Sequence, residues 1–178
     1  MDQITITKNA ARNLRNFFCW VYQNEMIAPD DIVDGSVIEI LAPNGEFLAL
    51  GYLNRKSQIS VRVLSFEKCT IDNDFFRKRI RSALSKRTRI MQHSNAYRLI
   101  HSEADFLPGL IVDVYNGYLA VQINTLGMEQ QREHIIDALV SVVNPTGIID
   151  KSDPKVRAKE GIETSNGIIY GTVPEEIA

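Results

Sequence analysis

Basic side chains carry the densest chemical signal in this sequence. Between Arg77 and Arg89 stand Arg77, Lys78, Arg79, Arg81, Lys86, Arg87 and Arg89, with no Asp or Glu among them. The whole chain has 20 Lys and Arg against 22 Asp and Glu, a formal net charge of −2, so its bases are concentrated rather than abundant. Such a cluster suits phosphate, because each neutralised phosphate releases a counterion. In a near-neutral chain, this asymmetry points to a local anion-binding face, with nucleic acid as the first candidate. The bland alternative is a solvated connecting helix kept soluble by long side chains. Arg77, Lys78, Arg81, Lys86 and Arg89 are the stronger candidates, since Arg79 and Arg87 fall nearer the apolar stripe of the same segment. A second basic patch is expected from Lys8, Arg12 and Arg15 together with Arg55, Lys56 and Arg62.

Other reactive types are sparser. Glu103, Asp105 and Asp113 raise the idea of a carboxylate cluster for metal binding or acid–base chemistry. A turn at Pro108-Gly109 and the apolar neighbours of Asp113 favour structural hydrogen bonds to loop amides instead. His93, His101 and His134 lack metal-ligand spacing, and Cys19 and Cys69 form no C-x-x-C, so no metal centre or disulfide framework is expected. Both cysteines read as small buried hydrophobes. Trp20, the only tryptophan, reads as a buried anchor rather than a base-stacking ring.

The elements that must position these groups follow from periodicity. The 178 residues are 44% hydrophobic and 24% charged, an ordinary globular composition in which no apolar run reaches a membrane span. The N-terminus, Met1 to Thr5, lacks the pattern of a signal peptide, and a cytoplasmic location is expected. Ile4 to Thr7 reads as a strand. Lys8 to Phe17 reads as a helix with Ala10, Leu14 and Phe17 inward. Val37 to Leu41, Phe47 to Tyr52 and Ser60 to Phe66 follow as strands, with Asn44-Gly45 predicting a type I′ hairpin turn. Asp72 offers an N-cap to a helix reaching about Met91, with Phe76, Ile80, Ala83, Leu84 and Met91 on one stripe. Tyr97 to His101, Leu110 to Tyr115 and Leu119 to Ile123 read as strands, the last two joined at Asn116-Gly117. A helix over Met128 to Val142, short strands at Ile148 to Asp150, Ile162 to Thr164 and Ile168 to Tyr170, and a helical turn near Pro154 complete the chain. The expected fold class is α+β: a small β-barrel over residues 1–70, then a mixed α/β domain over 71–178 with antiparallel hairpins and two main helices.

Three separated motifs then give a family resemblance. The stretch from Tyr97-Arg98-Leu99-Ile100-His101 through Leu107-Pro108-Gly109-Leu110-Ile111-Val112-Asp113-Val114-Tyr115 resembles the central signature of the bacterial class I S-adenosylmethionine-dependent large-subunit rRNA (cytosine-C5) methyltransferases. Trp20-Val21-Tyr22 is similar to their N-terminal Trp-Val-Phe/Tyr element, and Gly51 to Leu64 to their Gly-Tyr-x-Asn-x-x-Ser-x-Ile-x-Val-Arg-Val-Leu stretch. Val156-Arg157 and Glu160-Gly161 match later pairs. The resemblance implies an N-terminal PUA RNA-binding domain followed by the family's central domain, with large-subunit ribosomal RNA as partner. It also implies that the family's C-terminal methyltransferase domain lies outside these residues, so that S-adenosylmethionine serves the full-length parent and this chain alone neither binds it nor transfers a methyl group. Phe17-Phe18-Cys19 departs from the Gly, His or Pro that the family usually has before its tryptophan.

The cofactor expectation also rests on the residues themselves. Binding S-adenosylmethionine calls for a Gly-rich strand-to-helix turn, yet the ten glycines are spread singly and form no G-x-G. A stand-alone RNA-binding module and a protein-interaction module whose basic helix meets an acidic partner remain the alternatives.

Overall fold

The computed structural model describes residues 1–177 and consists of two sheets in chain order. The first contains β1 (Asp2–Ile6), β2 (Trp20–Val21), β3 (Met26–Ile27), β4 (Val37–Leu41), β5 (Phe47–Leu53) and β6 (Val61–Ser65), in the order β2-β6-β5-β4-β1-β3. β1 runs parallel to β4 while the other pairings are antiparallel, and the sheet curls into a nearly closed barrel. Its core is filled by Ile4, Ile6, Ile38, Ile40, Leu53, Val61 and Val63. Helix α1 (Lys8–Arg15) covers this core with Ala10, Ala11 and Leu14, and starts where the Thr7 side chain accepts from the Ala10 amide.

Helix α2 (Asn73–Met91) follows, capped by Asp72, whose carboxylate accepts from the Phe75 amide. The second sheet contains β7 (Ala96–His101), β8 (Leu110–Tyr115), β9 (Tyr118–Ile123), β10 (Gly147–Lys151) and β11 (Asn166–Gly171), in the order β11-β10-β9-β8-β7. Helices α3 (Leu126–Gln130) and α4 (Arg132–Val143) make the crossover between the parallel pair β9 and β10, and α5 (Pro154–Glu160) precedes the edge strand. Phe75, Phe76, Ile80 and Ala83 of α2 pack with Ile135, Ala138 and Leu139 of α4 over the buried face of this sheet.

Side chains of the barrel reach into the core of the second sheet. Tyr52 and Leu64, from the barrel, belong to the core of the second sheet. The buried Tyr52 hydroxyl donates to the Pro108 carbonyl or the Thr125 hydroxyl, at 3.0 and 2.8 Å. Gly127 lies so close to the Tyr52 ring that any Cβ there would overlap it.

The expected α+β class and its barrel-then-sheet order hold, with local corrections. The β4–β5 hairpin forms, but only Gly45 takes positive φ (+82°), and Gly45 N–H bonds Ala42 O while Ala42 N–H bonds Glu46 O. The three-residue loop ending in a left-handed glycine replaces the expected type I′ turn, because Pro43 cannot donate and fixes a negative φ. Asn116 and Gly117 do both take positive φ, +47° and +84°. Helix α1 stops at Arg15, and Phe17 is 70% exposed instead of inward. The helix expected over Met128 to Val142 is broken at Gln131, Met91 is exposed, Ile162 to Thr164 form no strand, and Cys69 is exposed.

Candidate nucleic-acid interface

Positions three and four apart on α2 share a face. Phe76, Ile80 and Ala83 take the core side, which leaves Lys78, Arg81, Ser82, Ser85 and Arg89 exposed in one stripe, with exposed Lys86 on its flank. From Lys78 to Arg89 the stripe spans about 16 Å of helix axis. Lys78, Arg81 and Arg89 take part in no ion pair among the described residues.

Their neighbours on the same helix are engaged by the fold. Arg77 pairs with Asp74 at 3.0 Å and reaches Ser141. Half-buried Arg79 donates to the Leu64 carbonyl at 3.0 Å and lies over the rings of Phe75 and Phe106, 5.1 and 5.0 Å from their centroids. Arg87 grips buried Asp105 through two nitrogens, at 3.1 and 2.6 Å, and Lys86 adds a contact at 3.3 Å. Burial pushes the Asp105 carboxyl up, but the Arg87 and Lys86 contacts and the His101 amide outweigh it and hold Asp105 below the usual carboxylate range.

The second basic set divides in the same way. Lys8, Arg12 and Arg15 are exposed on α1, with Arg12 on Asn9 and Arg15 paired to Glu46 at 2.6 Å. Lys56 is exposed; its stem covers Gly161, and with Lys159 it lines a groove of about 590 Å³ beside α5. Arg55 is tied to Asp34 at 2.9 Å and to the Ile32 and Pro29 carbonyls. Arg62, with a side chain 14% exposed, bridges Glu103 at 3.1 Å and Glu160 at 3.6 Å. Arg55 and Arg62 therefore spend their guanidinium groups on their own chain, and α1 and Lys56 form separate basic surfaces.

The acids are structural partners. Glu103 accepts from Trp20 Nε1 at 2.9 Å, from Arg62 and from the Ser102 hydroxyl. Burial raises its pKa, yet the Ser102 and Trp20 hydrogen bonds and the Arg62 charge hold the carboxyl below its ordinary range. Asp113 is held by both nitrogens of the Arg98 fork, at 2.8 and 2.9 Å. No group of three or more His, Cys, Asp or Glu side chains is placed to hold a metal among the described residues. Burial, assisted by Glu103, pushes the Cys19 thiol up and keeps it protonated.

Two constellations escaped sequence reasoning. Arg132 binds Glu129 at 2.8 and 2.9 Å and Asp150 at 2.8 Å, while buried Arg157 binds Glu129 at 2.9 Å and the Ile123 carbonyl at 2.6 Å. Hydrophobic periodicity carries no trace of such a network. The other is an aromatic run in which Phe17 meets Phe66 edge-on at 5.1 Å and Phe66 meets Phe106 at 6.4 Å, linking the end of α1 to Arg79 on α2. The replacement of the family's usual residues by Phe17-Phe18 was the available signal.

Three glycines lie against the chain itself, Gly109 against Thr125, Gly127 against Tyr52 and Gly147 against the Thr172 carbonyl, while Gly45 and Gly167 face open space. No helix of the described residues is long and apolar enough to cross a membrane.

Comparison with known proteins agrees with this architecture. Residues 4–66 match the family model of a PUA-like domain. The chain is 34% identical over 177 residues to the ribosomal RNA large subunit methyltransferase I of Aliivibrio fischeri, with 97% of this chain and 45% of the relative covered. The same-named protein of Aeromonas salmonicida is 36% identical with the same coverage. In structure, the chain superimposes with a TM-score of 0.84 on a protein assigned as a methyltransferase and complexed with SAH, at 20% identity, over 99% of this chain and 44% of that one. A protein from Streptococcus mutans assigned as a SAM-dependent methyltransferase gives 0.82 at 21% identity, over 98% and 45%. The chain thus spans about half the length of the curated relatives it matches.

Proposed function

From a chain homologous along nearly its whole length to ribosomal RNA large subunit methyltransferase I proteins, and carrying a PUA-like domain, we propose an RNA-docking and substrate-positioning role within an S-adenosylmethionine-dependent 23S rRNA cytosine-C5 methyltransferase. The methyl transfer itself belongs to a catalytic domain outside these residues, and the work is done in the cytoplasm. The division falls near residue 70, with the PUA-like barrel before it and the central α/β domain after it.

The observation that carries this reading is the sorting of bases on α2. Arg79 and Arg87 are consumed by the fold, whereas Lys78, Arg81 and Arg89 project from one acid-free stripe. Three open bases spaced along a rigid helix can contact successive phosphates of a folded RNA, a mode that reads backbone shape rather than sequence. Lys8, Arg12, Arg15 and Lys56 supply further phosphate contacts on the barrel, Arg77 and Lys86 flank the α2 stripe while paired to Asp74 and Asp105, and Arg55 and Arg62 hold the surfaces that present them.

The test is filter binding of the 178-residue chain to fragments spanning 23S rRNA. Binding at 50 mM salt that weakens steeply by 200 mM is expected. No binding to any fragment at 50 mM salt would contradict the proposal.

A further inference from the structure

The loop joining β5 to β6 comes from the barrel and α5 from the second half of the chain, and between them lies a groove of about 590 Å³. Lys56, Ser57, Gln58 and Ile59 form its barrel side, and Val156 and Lys159 its α5 side. Both sides are held from behind. Buried Asn54 donates to the Glu160 carbonyl at 3.0 Å and to the Glu160 carboxylate at 2.8 Å, while its own side-chain oxygen accepts from the Lys56 amide at 3.1 Å. Ser60 closes the loop: its hydroxyl donates to the Ser57 carbonyl at 2.9 Å and its carbonyl accepts from the Asn54 amide at 2.7 Å. The Gln58 carbonyl accepts from the Gln23 amide at 3.3 Å. Gly161 ends α5 with φ +75°, and a Cβ there would meet the Lys56 side chain, so the Lys56 ammonium lies against Gly161, two residues from Lys159.

On this fixed frame the groove carries donors that the fold leaves unused. The Lys56 and Lys159 ammonium groups, the Ser57 hydroxyl and the Gln58 side-chain amide have no hydrogen-bond or ion-pair partner among the described residues. Lys56, Gln58 and Lys159 are exposed and Ser57 is half-buried. The acid that lines the groove, Glu160, is already engaged, with a side chain 7% exposed that accepts from Asn54 and faces Arg62 at 3.6 Å. Two free positive charges and two neutral donors therefore border one groove whose carboxylate is spent.

That set calls for an anion with several acceptor oxygens, and phosphate meets it through charge-assisted hydrogen bonds. The groove asks for more than phosphate alone. Ile59 and the 40% exposed Val156 add apolar surface beside the lysines, and the volume falls within the roughly 300–1,000 Å³ of small-molecule sites. A sugar and base attached to the phosphate would cover that surface.

We propose that this groove binds a nucleotide, its phosphate held between Lys56 and Lys159 and its sugar and base laid on Ile59 and Val156. For a nucleotide within a docked RNA strand the inference rests on the role proposed above; a free mononucleotide offers the same chemistry without it. Either ligand touches the barrel and α5 at once and fastens across the boundary between them.

The test follows backbone amide shifts of the 178-residue chain by NMR during titration with AMP, adenosine and inorganic phosphate at low salt. AMP should move the amides of Ser57, Gln58, Ile59 and Lys159, and adenosine, with no charge for the lysines, should bind at least about tenfold more weakly. Inorganic phosphate should reach the same amides with lower affinity than AMP, because it leaves the apolar wall uncovered. Lys56→Gln combined with Lys159→Gln should weaken AMP at least about tenfold with an unchanged melting temperature, since both side chains are exposed and unpaired. Lys159→Gln alone should weaken it about threefold or more. A single-stranded oligonucleotide that displaces AMP from these amides, with a salt slope about one to two shallower in the double variant, identifies the ligand as the RNA strand. AMP binding that RNA leaves untouched identifies a free nucleotide. No movement of these amides up to about 10 mM AMP, or equal AMP affinity in the double variant, overturns the nucleotide site, even where salt-dependent RNA binding leaves the docking role standing. AMP binding by a chain that binds no RNA fragment removes the docking role and leaves this site in place.

Discussion

Arg62 separates a phosphate ligand from a structural base. Its sequence neighbourhood nominates it for RNA, but its side chain is 14% exposed between Glu103 and Glu160, themselves 26% and 7% exposed. Arg62→Met keeps the length and apolar stem while removing the charge. Breaking one side of a buried ion pair costs about 3–5 kcal/mol when the remaining charge is left alone. Here the orphaned acids keep other donors, Glu103 from Trp20 and Ser102 and Glu160 from Asn54 at 2.8 Å, which lowers the expected cost to about 2–3 kcal/mol. For a chain of this size, that is a fall in Tm of about 5–10 °C. The assay is thermal melting by circular dichroism, paired with RNA affinity measured across a salt series at a temperature where both proteins are folded. The salt slope should be unchanged. Arg62→Met combined with Glu160→Gln should recover part of the lost stability, since neutralising Glu160 removes one of the two buried charges left unpaired. A variant that melts with the wild type, but whose salt slope is shallower by about one, would refute the structural role and return Arg62 to the RNA face.

Three more outcomes follow from the same geometry. Gly127→Ala drives a methyl into the Tyr52 ring at the junction of the two sheets, and should cost about 3 kcal/mol or more of stability by urea unfolding. Phe17→Gly relieves a left-handed backbone worth about 1–2 kcal/mol while giving up an edge-on ring contact of similar size. Its stability should stay within about 1 kcal/mol of wild type by the same unfolding assay. Asp105, Asp150, Glu103 and Glu129 all have carboxyls held below their ordinary values in the folded chain. Their contribution to stability is therefore present above the unfolded carboxylate range and is lost as pH falls through the lowered values. Urea midpoints should be flat near neutrality and drop below about pH 4.

Much of this architecture was legible because single residues enforce it. Asp72 and the three- and four-residue spacing of Phe76, Ile80 and Ala83 fix α2 and its inward face, and Asn116-Gly117 fixes the β8–β9 turn. The errors arose where one residue overrides a pattern. Pro43 changed the β4–β5 turn, and the left-handed Phe17 ended α1 and turned an apparent core ring outward. The basic face was legible only as composition. Which arginines remain available depends on acids far away in the chain, such as Glu103 and Glu160 for Arg62 or Asp105 for Arg87, and single-sequence periodicity contains no such partners. The division of labour among the bases is set by these ion pairs.

The most direct measurement of the docking role compares the chain with a variant carrying Lys78→Gln, Arg81→Gln and Arg89→Gln. All three side chains are exposed, so stability should change by no more than about 0.5 kcal/mol. Affinity for 23S rRNA fragments is recorded from 50 to 200 mM salt. If each base neutralises one phosphate, the slope of log affinity against log salt becomes shallower by about 2–3. Over that salt range the wild type then loses about 15- to 60-fold more affinity than the variant. Equal slopes for the two proteins would contradict the assignment of this helix face to RNA.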